Sequence, residues 1–422
     1  MLKKVCEIVA RQNRWRRREC INLIASENVL SPLAEKFLLS DFHGRYNEHD
    51  EKTHYQGVRY AVEIEELVNR IFGERFSTEL VDCRPISGSV ANLCVYHAFL
   101  NPGDCVVTPG ISAGAHVSAS PHGIVGVKGA TCVEACFDAE NFELDVDKTL
   151  QVVKRANPKM LVLGRSVFLF PEPVRELRSE VGDMLITYDA AHVFGLIYCG
   201  FFQKPLEEGA DVLTASTHKT FPGPQGGIVI ARRDFESGRW KRITRALFPG
   251  IVSNHHIFRL PSLAITALEM NEFGREYCRQ ILSNARALAQ RLHELGFRVL
   301  CEHRNFTRSH QILLDVRELG GGAVVAKKLE DANIIVNKIA LPWDSASNAT
   351  RNPSGIRIGV QEMTRVGMKE GEMREIAELF GMLLLEGRKE REVRERTIEL
   401  RRDFTGVKYC FRDAENSDSF LD

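Results

Sequence analysis

The sequence of 422 residues has no net charge, because 56 Lys and Arg residues balance 56 Asp and Glu residues. A balanced chain has no overall field that would gather nucleic acid or a membrane surface, so we expect neither as a partner. The sequence also lacks a run of about 18 apolar residues and an N-terminal apolar segment of signal-peptide length. These absences predict no membrane span and a cytoplasmic location.

Cysteine is present but unpatterned. The chain has eleven cysteines and no CxxC motif. The closest pair, Cys132 and Cys136, lacks further ligands at zinc spacing. Scattered cysteines of this kind are typical of reduced thiols in the cytoplasm. We therefore predict neither a disulfide framework nor a metal site.

The length of the chain predicts two or three domains. We expect an N-terminal arm over 1–40, a large domain over 41–262 and a small α+β domain over 263–422. The arm contains the basic stretch RQNRWRRRE (11–19), for which a helix on a neighbouring surface competes with a nucleic-acid contact. Apolar periodicity also predicts a single long helix over 262–296.

The middle of the chain alternates short apolar runs with amphipathic stretches. This pattern predicts strands and helices of a mostly parallel α/β sheet covered on both faces. The run at 226–233 follows the strand at 211–216 too closely for a crossover helix, so we expect these two strands to be antiparallel. The remaining predicted strands and helices are strands 105–110, 160–166 and 184–192, and helices 145–156 and 173–182.

Polar residues stand at the ends of the predicted strands, where open α/β sheets bind ligands. These residues are Ser166, Asp189, His192 and the group Ser216–Lys219 in STHKTFPGPQGG (216–227). The glycines and prolines after Lys219 can continue neither a strand nor a helix. We therefore expect a tight turn that presents the Lys219 amine at the end of a strand.

Each candidate residue has an alternative reading when taken alone. Ser87-Gly88-Ser89 before an apolar helix could bind phosphate or only cap the helix. Asp189 could pair with a protonated ring nitrogen or cap the next helix, and His192 could contact a ligand or be structural. Lys219 could form a Schiff base or lie on the surface. Together these groups describe a site for pyridoxal phosphate.

Several motifs then show a resemblance to the serine hydroxymethyltransferase family, over almost the whole chain. They are INLIASENVLSP (21–32), ISGSVAN (86–92), YDAAHVFGLI (188–197), STHKTFPGPQGG (216–227), LFPG (247–250), IIVNK (334–338) and SGIRIGVQEMTR (354–365). The resemblance implies a fold-type I pyridoxal-phosphate-dependent transferase, whose large domain has a mostly parallel seven-stranded sheet and whose smaller C-terminal domain is α+β. It also implies a homodimer with shared active sites, which converts L-serine and tetrahydrofolate or tetrahydromethanopterin reversibly to glycine and the methylene-pterin.

The same resemblance assigns roles to residues. Lys219 would carry the cofactor as an internal aldimine, Asp189 would pair with its ring nitrogen, and Glu48 would move a proton during one-carbon transfer. His218 would flank the linkage to the cofactor. Further cofactor contacts would be Ser87, Gly88, Ser89, His116, Ser166, His192, Ser216, Tyr46 of a second subunit and the turn after Gly250. Substrate contacts would be Ser26, Tyr55, His192 and Arg357.

The resemblance is weakest at the pterin end, where it implies contacts by His54, Ile111, Ala115 and Ile339. His54 replaces a tyrosine usual in the family, Ile339 an asparagine, and Gln225 an arginine; the PQGG form is similar to the archaeal branch. These departures keep two alternatives open: a pterin-independent enzyme, either an aldolase or transaldolase of β-hydroxy amino acids or a 2-methylserine hydroxymethyltransferase, and a catalytically silent binding protein.

Overall fold

The computed structural model describes residues 1–49 and 55–412. The chain forms two compact units. The smaller unit comprises Met1–Glu27 and Glu276–Lys408, and the larger comprises Asn28–Arg275 and the described residues from Tyr409 onward. These units differ from the predicted ranges in that the first 27 residues belong with the C-terminal part of the chain. The division of function among the predicted domains stays a prediction.

Fifteen strands lie in the described part of the chain. In chain order they are β1 (Ile21–Asn22), β2 (Val81–Asp82), β3 (Cys105–Thr108), β4 (Thr131–Glu134), β5 (Phe137–Asp138), β6 (Glu143–Leu144), β7 (Met160–Leu163), β8 (Leu185–Asp189), β9 (Val212–Ser216), β10 (Gly227–Ala231), β11 (Arg298–Val299), β12 (Gln311–Asp315), β13 (Ile334–Ile335), β14 (Asn337–Ile339) and β15 (Gly355–Gly359).

The described residues also form seventeen α-helices. They are α1 (Leu2–Arg14), α2 (Pro32–Lys36), α3 (Arg59–Phe76), α4 (Gly88–Phe99), α5 (Ile124–Val127), α6 (Val146–Ala156), α7 (Val174–Val181), α8 (Phe194–Tyr198), α9 (Pro205–Glu208), α10 (Ser237–Arg245), α11 (Arg259–Glu272), α12 (Gly274–Glu294), α13 (Gly322–Asp331), α14 (Ala346–Arg351), α15 (Gln361–Arg365), α16 (Glu370–Leu384) and α17 (Glu390–Arg401). None of them is long and apolar enough to cross a membrane.

The larger unit is built on a seven-stranded sheet with the order β2-β10-β9-β8-β7-β3-β4. Neighbouring strands from β9 to β4 are parallel, whereas β10 is antiparallel to β9 and to β2. This sheet confirms the predicted α/β fold with a mostly parallel seven-stranded sheet, including the antiparallel strand after the lysine turn. The register places Asp189 opposite Thr214 at the carboxyl ends of β8 and β9.

The central strands of this sheet are buried on both faces. Every residue of β7, β8 and β9 is buried, as expected for parallel strands that helices cover on two sides. Helix α4 packs on this sheet through residues such as Ala91, Cys94 and Val95, which are fully buried in the main hydrophobic core. The core therefore fixes both the strand ends and the N-terminus of α4.

The prediction of one long helix over 262–296 was wrong. Two helices, α11 and α12, meet at Phe273 and Gly274. A side chain at position 274 would place its Cβ 2.5 Å from Cys199 Sγ, so the glycine permits close packing at the break. Periodicity alone missed this break because the apolar spacing continues through it.

The smaller unit contains an antiparallel four-stranded sheet with the order β11-β12-β15-β14. The N-terminal segment joins this unit through β1, which pairs in parallel with β13. Trp15 Nε1 donates to Asn333 Oδ1 at 3.0 Å, and Arg401 Nη2 donates to the Arg17 carbonyl at 2.9 Å. Part of the basic stretch 11–19 therefore anchors the N-terminal segment within its own unit.

Candidate active site

A cavity of about 250 Å³ lies at the carboxyl ends of the central strands in the larger unit. Ten of the predicted site residues line it: Ser87, Gly88, Ser89, His116, Ser166, Asp189, His192, Ser216, His218 and Lys219. Residues more than 100 positions apart in the sequence thus surround one space. The spacing of strand ends predicted this meeting for Ser166, Asp189, His192 and the Lys219 group.

Lys219 lies in the turn between β9 and β10, and hydrogen bonds hold this turn at both ends. Thr217 Oγ1 donates to the Pro224 carbonyl at 2.7 Å, and Thr220 Oγ1 donates to the His192 carbonyl at 2.8 Å. The Lys219 carbonyl accepts from Asn28 Nδ2 at 2.7 Å. The turn therefore presents the lysine from a fixed backbone, as the glycine–proline sequence predicts.

His218 is neutral at physiological pH. Burial, and to a smaller extent the positive charge of Lys219, lowers the pKa of its imidazole to about 4, against the opposing effect of a hydrogen bond with the Gly226 backbone. A neutral histidine beside the lysine avoids a second positive charge next to the amine.

One end of the cavity is suited to an anion. Ser87 caps α4, its Oγ accepting from the Val90 N–H at 3.1 Å. The glycines here allow close backbone approach: a Cβ on Gly88 would clash with Ser216 Oγ, and a Cβ on Gly227 would clash with the Ser87 carbonyl. The N-terminus of this twelve-residue helix, flanked by Ser87 and Ser89, can hold a phosphate.

Asp189 supplies a carboxylate whose two oxygens are both held by neutral donors. Its Oδ1 accepts from the Ala191 N–H at 3.0 Å, and its Oδ2 accepts from Asn92 Nδ2 at 2.7 Å. Gly164, with φ of +96°, lies so close that a Cβ would clash with the Asp189 backbone. The strand end is therefore tightly packed and the carboxylate is fixed in orientation.

His116 and Ser166 come from neighbouring segments that a backbone contact joins. The Ser166 N–H donates to the Gly114 carbonyl at 2.7 Å, which holds the loop that carries His116 against the end of β7. His116 Nδ1 accepts from the Ser118 N–H at 3.2 Å. Since a backbone N–H can only donate, this ring nitrogen is an acceptor.

Two predicted substrate residues, Ser26 and Arg357, belong to the smaller unit. Arg357 is buried in β15, where its Nε donates to Asn337 Oδ1 at 3.2 Å, and burial lowers the pKa of its guanidinium to about 10. A bound carboxylate would offset this cost of burying a charge. Ser26 lies in a turn that Gln361 holds by donating to the carbonyls of Ile24 and Glu27.

The other predicted residues of the larger unit lie away from the described lining of the cavity. Tyr46 and Tyr55 are 51% and 44% exposed, and their rings lie 5.3 Å apart. Glu48 is half-buried and Gly250 is exposed. His54 lies outside the described residues. None of the described residues among them, Tyr46, Glu48, Tyr55 and Gly250, lines the cavity.

The remaining residues predicted at the pterin end differ in exposure. Ile111 is exposed and Ala115 is buried, both on the loop that carries His116. Ile339 is half-buried at the end of β14 in the smaller unit. No group of three or more possible metal ligands occurs among residues 1–49 and 55–412.

Four lining residues were missed as site residues: Asn92, Arg165, Ala191 and Gln225. Asn92 lies within the quoted motif ISGSVAN, and a buried amide on an apolar helix was the signal that could have found it. Arg165 follows an apolar strand, and its Nε pairs with Glu172 Oε1 at 2.6 Å with both side chains fully buried. Gln225 was noted only as a departure from a family pattern.

Comparisons with known proteins agree along the whole chain. The sequence profile described as "Serine hydroxymethyltransferase" matches residues 2–380. The protein of that name from Sulfolobus acidocaldarius is 50% identical over 98% of this chain and 95% of its own length. Its counterpart from Metallosphaera sedula is 49% identical over 97% of this chain and 95% of its own length. The counterpart from Aeropyrum pernix is 48% identical over 98% of this chain and 94% of its own length.

A solved structure is similar to the chain as a whole. The L-threonine transaldolase from Pseudomonas fluorescens, crystallised in its internal aldimine state, superposes with a TM-score of 0.90 and 28% sequence identity. The match covers 100% of this chain and 94% of the transaldolase. The likeness is thus one of the entire fold and not of the sheet alone.

Proposed function

Because the chain belongs to the serine hydroxymethyltransferase family, we propose that it moves the hydroxymethyl carbon of L-serine to a reduced pterin, giving glycine reversibly. It is an enzyme of the pyridoxal-phosphate-dependent hydroxymethyltransferase class. The observation that carries the proposal is the cavity at the strand ends, which ten of the residues predicted for this chemistry line.

The cavity fits pyridoxal phosphate. The N-terminus of α4 with Ser87, Gly88 and Ser89 would hold the phosphate, and glycine at 88 and 227 lets the start of this helix approach Ser216 and β10 closely. Asp189 would pair with the ring nitrogen and His116 would lie on the ring. When bound, this cofactor supplies an electron sink for the carbanion left by Cα–Cβ bond cleavage.

The chain's own residues would then bind the substrate and move protons. Lys219 would hold the cofactor and give way to the amino group of serine, beside neutral His218. Arg357 would grip the substrate carboxylate with its planar fork of donors. Glu48 would transfer the proton at the substrate hydroxyl.

We infer a homodimer with shared sites. Tyr46 and Tyr55 form an exposed aromatic pair away from the described cavity lining of their own chain. Helix α1 has no buried residue and exposes Leu2, Val5 and Ile8. A short helix with an exposed apolar face gains most of its stability by packing, and a second copy of the chain would both cover it and receive the tyrosines.

The pterin acceptor in this proposal is tetrahydromethanopterin or tetrahydrofolate. The relatives are mostly archaeal, in agreement with the archaeal-type PQGG sequence at 224–227. His54, Ile111, Ala115 and Ile339 would provide the acceptor contacts. Apolar side chains such as Ile111 can contact the flat ring system of either pterin.

A second candidate function is pterin-independent transaldolase activity. The overall similarity to the L-threonine transaldolase favours it, as does Ile339 where the family commonly has asparagine. Such an enzyme would use the same cofactor cavity and transfer the glycine carbanion to an aldehyde. The two functions differ in the group that is transferred and in its acceptor, so assays of serine with a pterin and of threonine with an aldehyde separate them.

The cytoplasm is the proposed location. The chain has eleven scattered cysteines without a CxxC motif, and several of them are buried as ordinary core residues. Reduced thiols in this number are typical of a reducing compartment.

The test combines labelling with an assay. Borohydride reduction of the purified protein, followed by peptide mass spectrometry, should leave a phosphopyridoxyl group on Lys219. In a separate assay of the unreduced enzyme, serine cleavage should depend on tetrahydromethanopterin or tetrahydrofolate, with the two pterins compared side by side. Absence of the label, or a label on another lysine, would contradict the cofactor assignment; threonine cleavage with aldehyde exchange and no pterin requirement would favour the transaldolase.

A further inference from the structure

Asn92 occupies the centre of a buried hydrogen-bond network at the inner wall of the cavity. The residue lies in the first turns of α4, is 3% exposed, and lines the cavity. Its Nδ2 donates to Asp189 Oδ2 at 2.7 Å and to Ser118 Oγ at 3.1 Å, and its Oδ1 accepts from Thr214 Oγ1 at 2.5 Å. Both N–H bonds and the carbonyl of the amide are therefore used.

The network fixes which way the amide points. A carboxylate only accepts hydrogen bonds, so the nitrogen of the Asn92 amide must face Asp189. If the amide were rotated by half a turn, its oxygen would face the negative charge of Asp189, which is unfavourable. The Thr214 hydroxyl, on the neighbouring strand and opposite Asp189, secures this orientation by donating to the oxygen.

The second N–H of Asn92 extends the network to His116. Because Ser118 Oγ accepts from Asn92, its own proton is available for His116 Nδ1, which lies 2.7 Å away. The Ser118 N–H also donates to this nitrogen at 3.2 Å. Two donors on Nδ1 leave the ring proton of a neutral imidazole on Nε2, so the network sets both the position and the tautomer of His116.

We propose that Asn92 is a positioning residue that couples the carboxylate for the cofactor's ring nitrogen to the histidine on the ring face. This inference rests on the proposed function and assigns Asn92 no contact with the reacting atoms. Asn92 holds Asp189 Oδ2 in place directly and His116 through Ser118. A charge-assisted hydrogen bond of this kind is among the stronger single contacts in a protein.

The test compares cofactor binding with and without the ring nitrogen. Asn92→Ala should raise the Kd for pyridoxal phosphate by about tenfold or more. The same variant should raise the Kd for 1-deaza-pyridoxal phosphate, in which carbon replaces the ring nitrogen, by less than about threefold, since that analogue makes no hydrogen bond with Asp189. Ser118→Ala, which cuts only the branch to His116, should weaken both compounds equally and by less.

A matched control separates positioning from fold stability. Asn284 is also fully buried and donates to Thr364 Oγ1 at 2.8 Å and to the Met368 carbonyl at 2.9 Å, in the smaller unit. Asn284→Ala should lower the melting temperature without the selective loss of pyridoxal phosphate binding. If Asn92→Ala does not fold, Thr214→Val removes only the hydroxyl that orients the amide and should give the same selectivity on a smaller scale.

Two results would overturn the inference. Equal weakening of both compounds by Asn92→Ala, or by Thr214→Val in its place, would mean that the residue only supports the fold. Unchanged binding would mean that Asp189 needs no help from Asn92. Failure of the wild-type protein to bind pyridoxal phosphate at all would instead contradict the proposed function, so the two failures are distinguishable.

Discussion

The residues predicted to bind the cofactor differ from those predicted to bind the substrate and the acceptor in where they lie and in what holds them. Nine of the eleven predicted cofactor residues converge on one cavity of the larger unit, where backbone turns and neutral hydrogen bonds hold them, whereas Tyr46 and Gly250 do not line it. Of the predicted substrate and acceptor residues, His192 lines the cavity, Tyr55 is exposed in the larger unit, and the smaller unit contains Ser26, Arg357 and Ile339. One chain thus brings most of the predicted cofactor residues together in one cavity, whereas most of the predicted substrate and acceptor residues lie outside its described lining.

This contrast has a physical origin. A strand end with a following turn places its side chains by local geometry, so β8 and β9 fix Asp189 and Lys219 without any partner. The aromatic pair at Tyr46 and Tyr55 has no such frame within its own described chain and is half-exposed. A second subunit that covers this pair, as proposed above, would supply such a frame.

The largest expected effect is at the cofactor end. Lys219→Ala should abolish the visible colour of the bound cofactor and lower kcat by at least about 10³-fold, because the amine that holds the cofactor is lost. Absorption spectroscopy and a serine-cleavage assay measure this. Lys204→Ala, at an exposed lysine of the same unit, is the control and should leave both unchanged. A coloured, active Lys219→Ala protein would contradict the assignment of Lys219 as the residue that holds the cofactor.

The next largest effect is expected for Arg357→Lys, which tests substrate binding by the smaller unit. We expect the KM for serine to rise about 10²-fold, because a lysine cannot replace the bidentate contact of a guanidinium with a carboxylate. The Kd for the cofactor should stay the same, since Arg357 belongs to the substrate end. Arg298→Lys, at an exposed arginine of the same four-stranded sheet, serves as the control. If Arg357→Lys also raised the Kd for the cofactor, the substrate residues and the cofactor residues would not act separately.

A smaller effect concerns stability and pH. Burial raises the pKa of Glu362 to about 7, against the opposing effect of a hydrogen bond from Asn22. Between pH 4.5 and 7 the folded chain therefore keeps a proton that the unfolded chain has released, so the free energy of unfolding falls as the pH rises through this window. Glu362→Gln should remove this decline and be more stable than the wild type by about 2 kcal/mol at pH 8.

Denaturation midpoints in urea at pH 4.5 and pH 8 measure this difference. Glu395→Gln, which changes an exposed carboxylate of the same unit, should shift the midpoint equally at the two pH values. An unchanged pH dependence in Glu362→Gln would show that Glu362 is ionised throughout, and that the buried charge has partners strong enough to hold it.

Much of the cofactor site could be predicted from the sequence because it depends on local rules. Asp189 and Lys219 stand at the ends of apolar strands, and Ser87 precedes a helix. These local patterns predicted the two residues at the ligand-binding edge of the sheet and Ser87 at a helix N-terminus. Asn92 could not be found in this way, since its role depends on Asp189, Ser118 and Thr214, which only the folded chain brings together.

The fold was predictable to a similar extent, and the prediction of one long helix failed for a similar reason. The parallel strands and the antiparallel β10 follow from run lengths and spacing. The break between α11 and α12 does not, because Gly274 is needed for a contact with Cys199, which lies 75 residues earlier. Periodicity records which face of a helix is apolar, not where another segment approaches it closely.

Hybrid dimers test most directly whether the acceptor end requires a second chain. Lys219→Ala and Glu48→Gln subunits, each inactive alone, can be co-expressed with different tags and purified as mixed dimers. If Glu48 serves the cavity of the other subunit, one site carries both changes and the other carries neither, so the mixed dimer should show about half of the wild-type activity. A mixed dimer with no activity would place Glu48 in the site of its own chain and contradict the account.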